Sequence, residues 1–235
     1  MSKLHTPTTL PRKSDGDAIL TQGRAPPPPR TALRVLHVCE NYCVIDKHYD
    51  HRIYGNNFLH TVEKLLTEYQ FPGRAAAANP RPCHRLDYAT SGVMVWAWNR
   101  RAAGKAGKAF AQRRVKKLYL ALVEGHLEGT PLFEPAIDPR FPEALAPPHL
   151  VLEWPIADDV EDGFRMRVGR SAGDGRPACT DVRLLARGSF QGRPASKVLL
   201  EPTSGRRHQL RVHMLALGHP IIGDATYTCD YDAPR

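Results

Sequence analysis

Gly92 to Trp98 reads GVMVWAW, a run too apolar to face water on both sides. Its length and its valine and tryptophan content fit a strand better than a helix, so the fold must cover that strand. The rest of the chain supplies partners. Val35, Leu36 and Val38, then Val44 and Ile45, predict two short strands around a Glu40-Asn41 turn. Leu118 to Val123, Phe164 to Val168, Thr180 to Leu185 and Lys197 to Leu200 also read as strands. Leu59, Val62, Leu65, Leu66 and Tyr69 keep helical spacing. Residues 100–114 are predicted helical with Phe110 inward, although Gly104 and Gly107 weaken the helix. Leu210 to Leu217 is a helix stopped by Gly218 and Pro220. There is no internal repeat and no regular strand–helix–strand rhythm. The pattern predicts an α+β domain with a largely antiparallel sheet.

Domain limits follow from composition. Residues 1–33 carry Pro7, Pro11 and the run Pro26 to Pro29 but few large apolar side chains. They are expected to form a disordered, Pro-rich basic leader, with residues 34–235 as the folded domain. Pro131 to Pro148 is expected to be irregular. No run of about 18 apolar residues occurs, so no membrane span is expected. Five cysteines, an odd number without framework spacing, point to a reducing, intracellular compartment. Cytoplasm or nucleus is expected, with an organelle left open. The protein is expected to be a monomer.

The 33 Lys and Arg against 24 Asp and Glu give a net charge of +9. That suits a polyanionic partner, and equally suits simple solubility. Distribution favours the partner. Arg100, Arg101, Lys105, Lys108, Arg113, Arg114, Lys116 and Lys117 fall in one stretch with no acidic residue. A solvated helix face normally interleaves acids, so this stretch reads as a phosphate-contacting surface. It runs into Tyr119, which is either a sheet tyrosine with its hydroxyl at the rim or a stacking surface for a base.

Two further segments can carry chemistry. In His84-Arg85-Leu86-Asp87-Tyr88-Ala89-Thr90-Ser91-Gly92 a carboxylate stands in a polar turn just before the apolar strand. Read alone, such a carboxylate usually satisfies turn amides. In Ser204 to Met214, Arg206, Arg207, His208 and Arg211 crowd a helix N-terminus, an arrangement suited to an anion. Arg211 can grip a carboxylate with two prongs, as Lys cannot. His208 and His213 are five apart, not the four of a one-faced zinc pair, and no cysteine spacing fits zinc. A metal site is not expected; a zinc-dependent hydrolase is the reading this disfavours.

Together HRLDYATSG at 84–92, KKLYLALVEGH at 116–126 and SGRRHQLRVHMLALGHPIIGDATY at 204–227 resemble the RluA-like family of RNA pseudouridine synthases. The order and spacing match across residues 34–227. The segment KHYDHRI at 47–53 is similar to animal members and differs from the Lys-Pro-x-Gly of bacterial ones. The resemblance implies a mixed, mostly antiparallel sheet with flanking helices and a central RNA-binding cleft. It implies isomerisation of a specific uridine in a structured RNA, tRNA, rRNA or another, by base flipping and without a cofactor. The catalytic roles it carries over fall on Asp87, Tyr119 and Arg211. Arg85 takes the place of an arginine that opens the RNA stack. Lys105, Lys108, Arg113, Arg114, Lys117, Arg206 and His208 are the expected further RNA contacts. No Leu-His-Ala strand follows Gly223-Asp224 before Arg235, so a domain short of that strand is one expectation. An RNA-binding protein that keeps the fold without the activity is the alternative.

Overall fold

The computed structural model of the protein describes residues 33–58, 60–68, 79–128 and 150–228. The leader up to residue 32, Leu59, Tyr69, the proline-rich 131–148 and the chain end after 228 lie outside the described residues. Among the described residues, two four-stranded sheets and one two-stranded hairpin make up the β structure. Every ladder between these strands is antiparallel.

The first sheet has the order β1-β2-β4-β3. Its strands are β1 (Arg34–Val38), β2 (Tyr42–Lys47), β3 (Arg81–Pro82) and β4 (Gly92–Ala97). The apolar run 92–98 therefore supplies a central strand. In β2, alternate residues Cys43, Ile45 and Lys47 are buried, the two-residue period of a half-buried strand. Cys43, Ile45, Met94, Trp96 and Trp98 pack with Val62 and Leu66 of α1 (Val62–Glu68), and Leu86 leans on the same cluster.

α2 (Arg100–Ala111) leads to the second sheet, with Asn99 capping its start through a 2.8 Å bond from the Ala102 N–H. The helix is shorter than predicted. Arg113 adopts a left-handed φ of 55°. Its N–H bonds the Phe110 carbonyl, while the Arg114 N–H bonds that of Ala109. This crossed pair of bonds turns the chain out of the helix, so Arg113 and Arg114 lie beyond it. Phe110 is half-buried against the His84 ring, 4.9 Å between centroids.

The second sheet has the order β5-β10-β9-β6. Its strands are β5 (Tyr119–Glu124), β6 (Leu150–Leu152), β9 (Thr180–Phe190) and β10 (Arg193–Pro202). Between them in sequence, β7 (Ile156–Asp158) and β8 (Met166–Val168) form the hairpin. β9 and β10 run further than the apolar pattern predicts. Gln191 and Gly192 both take positive φ, as a tight hairpin turn requires, and carry the ladder beyond the core. α3 (Gln209–Ala216) covers this sheet, with Met214 joining Val123, Leu152, Val182, Leu184, Val198 and Leu200. The architecture is α+β, as the sequence predicts.

Trp96 is fully buried at the centre of the first core. Trp96→Ala is expected to lower stability by about 3–5 kcal/mol. Urea denaturation would measure the loss, and a loss under about 1 kcal/mol would place the ring outside the core.

Candidate active site

Asp87 stands in the turn between β3 and β4. The chain reaches it through side chains of alternating use. The His84 Nε2 accepts the Val95 N–H at 3.0 Å, while the Cys83 N–H bonds the Val95 carbonyl. His84 thereby extends the β3–β4 ladder where the backbone has left it. Burial, more than any charge, holds its pKa below the ordinary histidine value, consistent with an accepting ring nitrogen. Leu86 packs on the core, Arg85 and Tyr88 are exposed, and the Thr90 N–H closes the turn on the Asp87 carbonyl at 3.1 Å.

A second anchor comes from Lys47 at the end of β2. Its side chain is 2% exposed, yet all three ammonium protons have acceptors. They bond the carbonyls of His48 at 2.8 Å, His51 at 3.0 Å and Tyr88 at 3.1 Å. Burial pulls its pKa down to about 8, against the opposing charges of Asp50 and Asp87. The ammonium thus ties the 48–51 loop to the residue after Asp87.

Arg211, on α3, reaches across to this turn. Its Nη1 donates to Asp87 Oδ2 at 3.2 Å. Its other face is gripped by Asp224, with Nε to Oδ2 at 2.7 Å and Nη2 to Oδ1 at 2.6 Å. The Tyr227 ring lies against the guanidinium, 4.9 Å from its centroid. Burial alone would lower the Arg211 pKa; the bond and charge of Asp224, with Asp87, outweigh it and raise the value. Tyr119, at the start of β5, is half-buried, and its pKa is raised first by burial and then by the Asp87 charge. Asp87, in the turn beside the first sheet, bonds Arg211 of the helix over the second sheet, and its charge reaches Tyr119 on that sheet's edge strand.

α3 is oriented by side-chain bonds. The Gln209 Oε1 accepts from Ser204 Oγ at 2.8 Å and the Arg206 N–H at 3.0 Å, while Nε2 donates to the Cys179 carbonyl and Thr180 Oγ1. The His213 Nε2 bonds the Trp154 carbonyl and its Nδ1 the Thr180 hydroxyl, both at 2.9 Å. One turn of helix is fixed on both sides of Arg211.

A profile of the RNA pseudouridylate synthase family matches residues 41–216. The chain belongs to this family. It is 38% identical over 204 residues to the human "RNA pseudouridylate synthase domain-containing protein 1", covering 83% of this chain and 59% of that protein. The Escherichia coli "Dual-specificity RNA pseudouridine synthase RluA" is 37% identical over 144 residues, 61% of this chain and 55% of that one. The solved human "RNA Pseudouridylate Synthase Domain Containing 1" superposes with a TM-score of 0.68 at 36% identity, covering 86% of this chain and 72% of that one. The chain spans about three-fifths of the length of the curated relatives it matches.

Within this family fold the expected site residues divide. Asp87, Tyr119 and Arg211 come together. Arg85, Lys105, Lys108, Arg113 and Arg114 are exposed. Lys117 is half-buried, and its ammonium bonds the Ser204 carbonyl. Arg206 donates to the Pro177 carbonyl, and Arg207 to those of Gly163 and Phe164. The Arg206 and Arg207 side chains before α3 are thus engaged by the protein's own carbonyls, and no side chain caps the start of that helix. His208 departs most from expectation: it is buried between Phe164 and Tyr227, not presented to solvent as an RNA contact. Sequence reasoning does not single out Asp224, Tyr227 or Lys47. The inward period of β2 is the signal that could find Lys47.

His208 leads to a pH prediction. The Tyr227 hydroxyl accepts the Met166 N–H at 2.8 Å and meets His208 Nδ1 at 2.7 Å, so its own proton is left for a neutral imidazole. Burial first, then Arg211 and Arg207, push His208 down to about 4 against the pull of Asp87 and Asp224. The unfolded chain takes that proton near 6.5. Stability is therefore fully present above pH 6.5 and is lost as pH falls toward 4. His213, lowered mainly by burial, adds to the same slope. His208→Gln is expected to flatten part of it in urea denaturation at stepped pH; an identical pH profile would contradict this.

Proposed function

We propose that the chain isomerises a specific uridine of a structured RNA to pseudouridine. The observation that carries this reading is the bond of Arg211 to Asp87 at 3.2 Å, beside Tyr119. In the reaction the N1–C1′ glycosidic bond breaks, the base turns, and a C5–C1′ bond forms. The C5 hydrogen leaves and N1 gains a proton. Atoms balance within one nucleotide, so no second substrate is needed.

Each residue has work of matching chemistry. The Asp87 carboxylate either attacks C1′ or removes the C2′ proton. Arg211, a permanent cation, gives that carboxylate a counter-charge when water is displaced. The half-buried Tyr119 offers a ring face for the uracil and a hydroxyl for the C5 proton. A stacked base must be extruded first, at a cost of a few kilocalories per mole. Arg85, exposed two residues before Asp87, fills the vacated stack in this reading. Phosphate contacts by Lys105, Lys108, Arg113 and Arg114 offset the remainder.

Tritium release from RNA labelled at C5 of uridine tests the reaction. Wild type is expected to release tritium from cellular RNA lacking prior modification. Asp87→Asn should release none while binding RNA nearly as well. Release by both would sink the role of Asp87; tight binding by both without release would favour a protein that binds RNA only.

The basic surface has its own test. Replacing Lys105, Lys108, Arg113 and Arg114 by Ala should shallow the salt dependence of binding by about 0.7–0.9 for each phosphate no longer neutralised. An unchanged slope would mean that this surface faces away from the RNA.

A further inference from the structure

Beside Asp87 lies an ordered aromatic surface that the isomerisation itself does not use. The Arg52 guanidinium sits 3.8 Å from the centroid of the Phe58 ring and 5.2 Å from that of Tyr88. The Phe58 ring is 37% exposed and Tyr88 41%, values high for large aromatic side chains. Tyr54 is also exposed on the same loop.

Two backbone devices and one side chain hold this surface. The carbonyls of Arg52 and Ile53 accept the Val62 and Glu63 N–H groups at 2.9 and 3.0 Å, tying the loop to the start of α1. Gly55 has a φ of +139°, and a Cβ there would stand 2.8 Å from the Phe58 ring. Only glycine lets Phe58 fold back over that turn. Lys47 binds the His51 and Tyr88 carbonyls together, which ties the backbone of the Phe58 loop to that of the Asp87 turn. Backbone held in this way lowers the ordering cost of binding.

With Arg85 in the gap left by the flipped uridine, an unpaired neighbour still has its outer face uncovered. A ring one residue from the Asp87 carboxylate can cover that face, with Arg52 beside it for the phosphate. We propose that Tyr88, backed by Arg52 and Phe58, stacks the unpaired nucleotide adjoining the target uridine. This rests on the functional reading above and adds a specificity to it. Targets lie in loops or bulges, where the neighbour is free to stack, and a purine neighbour, with its larger face, is favoured over a pyrimidine.

The test separates the two readings by using protein that cannot turn over. Asp87→Asn is mixed with a set of stem-loop RNAs, each with one loop uridine and 2-aminopurine on its 5′ or 3′ side. Stacking on Tyr88 is expected to quench the 2-aminopurine on one side. Quenching should persist with Tyr88→Phe added. It should be lost, with affinity weakened about tenfold, with Tyr88→Ala or Tyr88→Leu. Tyr88→Leu keeps an apolar side chain without a ring, and its thermal unfolding should match the parent, which separates lost stacking from lost folding. Equal quenching in Tyr88→Leu would overturn the inference, as would binding without quenching on either side. Failure to bind any stem-loop would overturn it too. The functional reading stands or falls separately on tritium release by the wild-type chain.

Discussion

One guanidinium joins the two halves of the site. Arg211 comes from the helix over the second sheet, and Asp87 from a turn of the first. A half-buried cation needs counter-charge, and a half-buried carboxylate needs a cation. Asp224 supplies the two-pronged hold that sets the plane of the guanidinium, leaving Nη1 for Asp87. One cation between two carboxylates leaves the cluster a net negative charge. Asp87 is thus held by a cation that Asp224 grips from the other side.

The residues around this pair are mostly scaffolding that resembles chemistry. His84 completes a ladder, Gln209 and His213 lock a helix turn, and His208 accepts from Tyr227. In each case a polar side chain answers a backbone or hydroxyl group that burial would otherwise leave unsatisfied. Lys47 follows the same logic with a charge: three carbonyls and two nearby carboxylates compensate a buried ammonium. Such networks fix geometry because losing one member strands the others.

Much of this is legible in the sequence. The apolar run at 92–98 announces the central strand, and the three motifs place Asp87, Tyr119 and Arg211. Less legible are contacts that depend on the fold. Asp224 stands 13 residues after Arg211 with no helical or strand period linking them. His208 reads as an RNA contact because it follows two arginines; only the hairpin carrying Phe164 and Met166 shows it to be covered. The strands β3, β6 and β7, two or three residues long, are too short to leave a period. The reach of β9 and β10 past the core is hidden because polar residues replace the alternation there. Arg113 and Arg114 fall beyond their helix because a left-handed residue, here Arg rather than Gly, ends it.

In the proposed isomerisation Asp224 acts through its hold on Arg211 and not by itself. A double-mutant cycle measures this most directly: single-turnover rates of pseudouridine formation for Arg211→Lys, Asp224→Asn and the double variant. The account predicts that each single change slows the step and that the double variant is no slower than Arg211→Lys alone. Losses that multiply in the double variant would show the two residues acting independently and would contradict it.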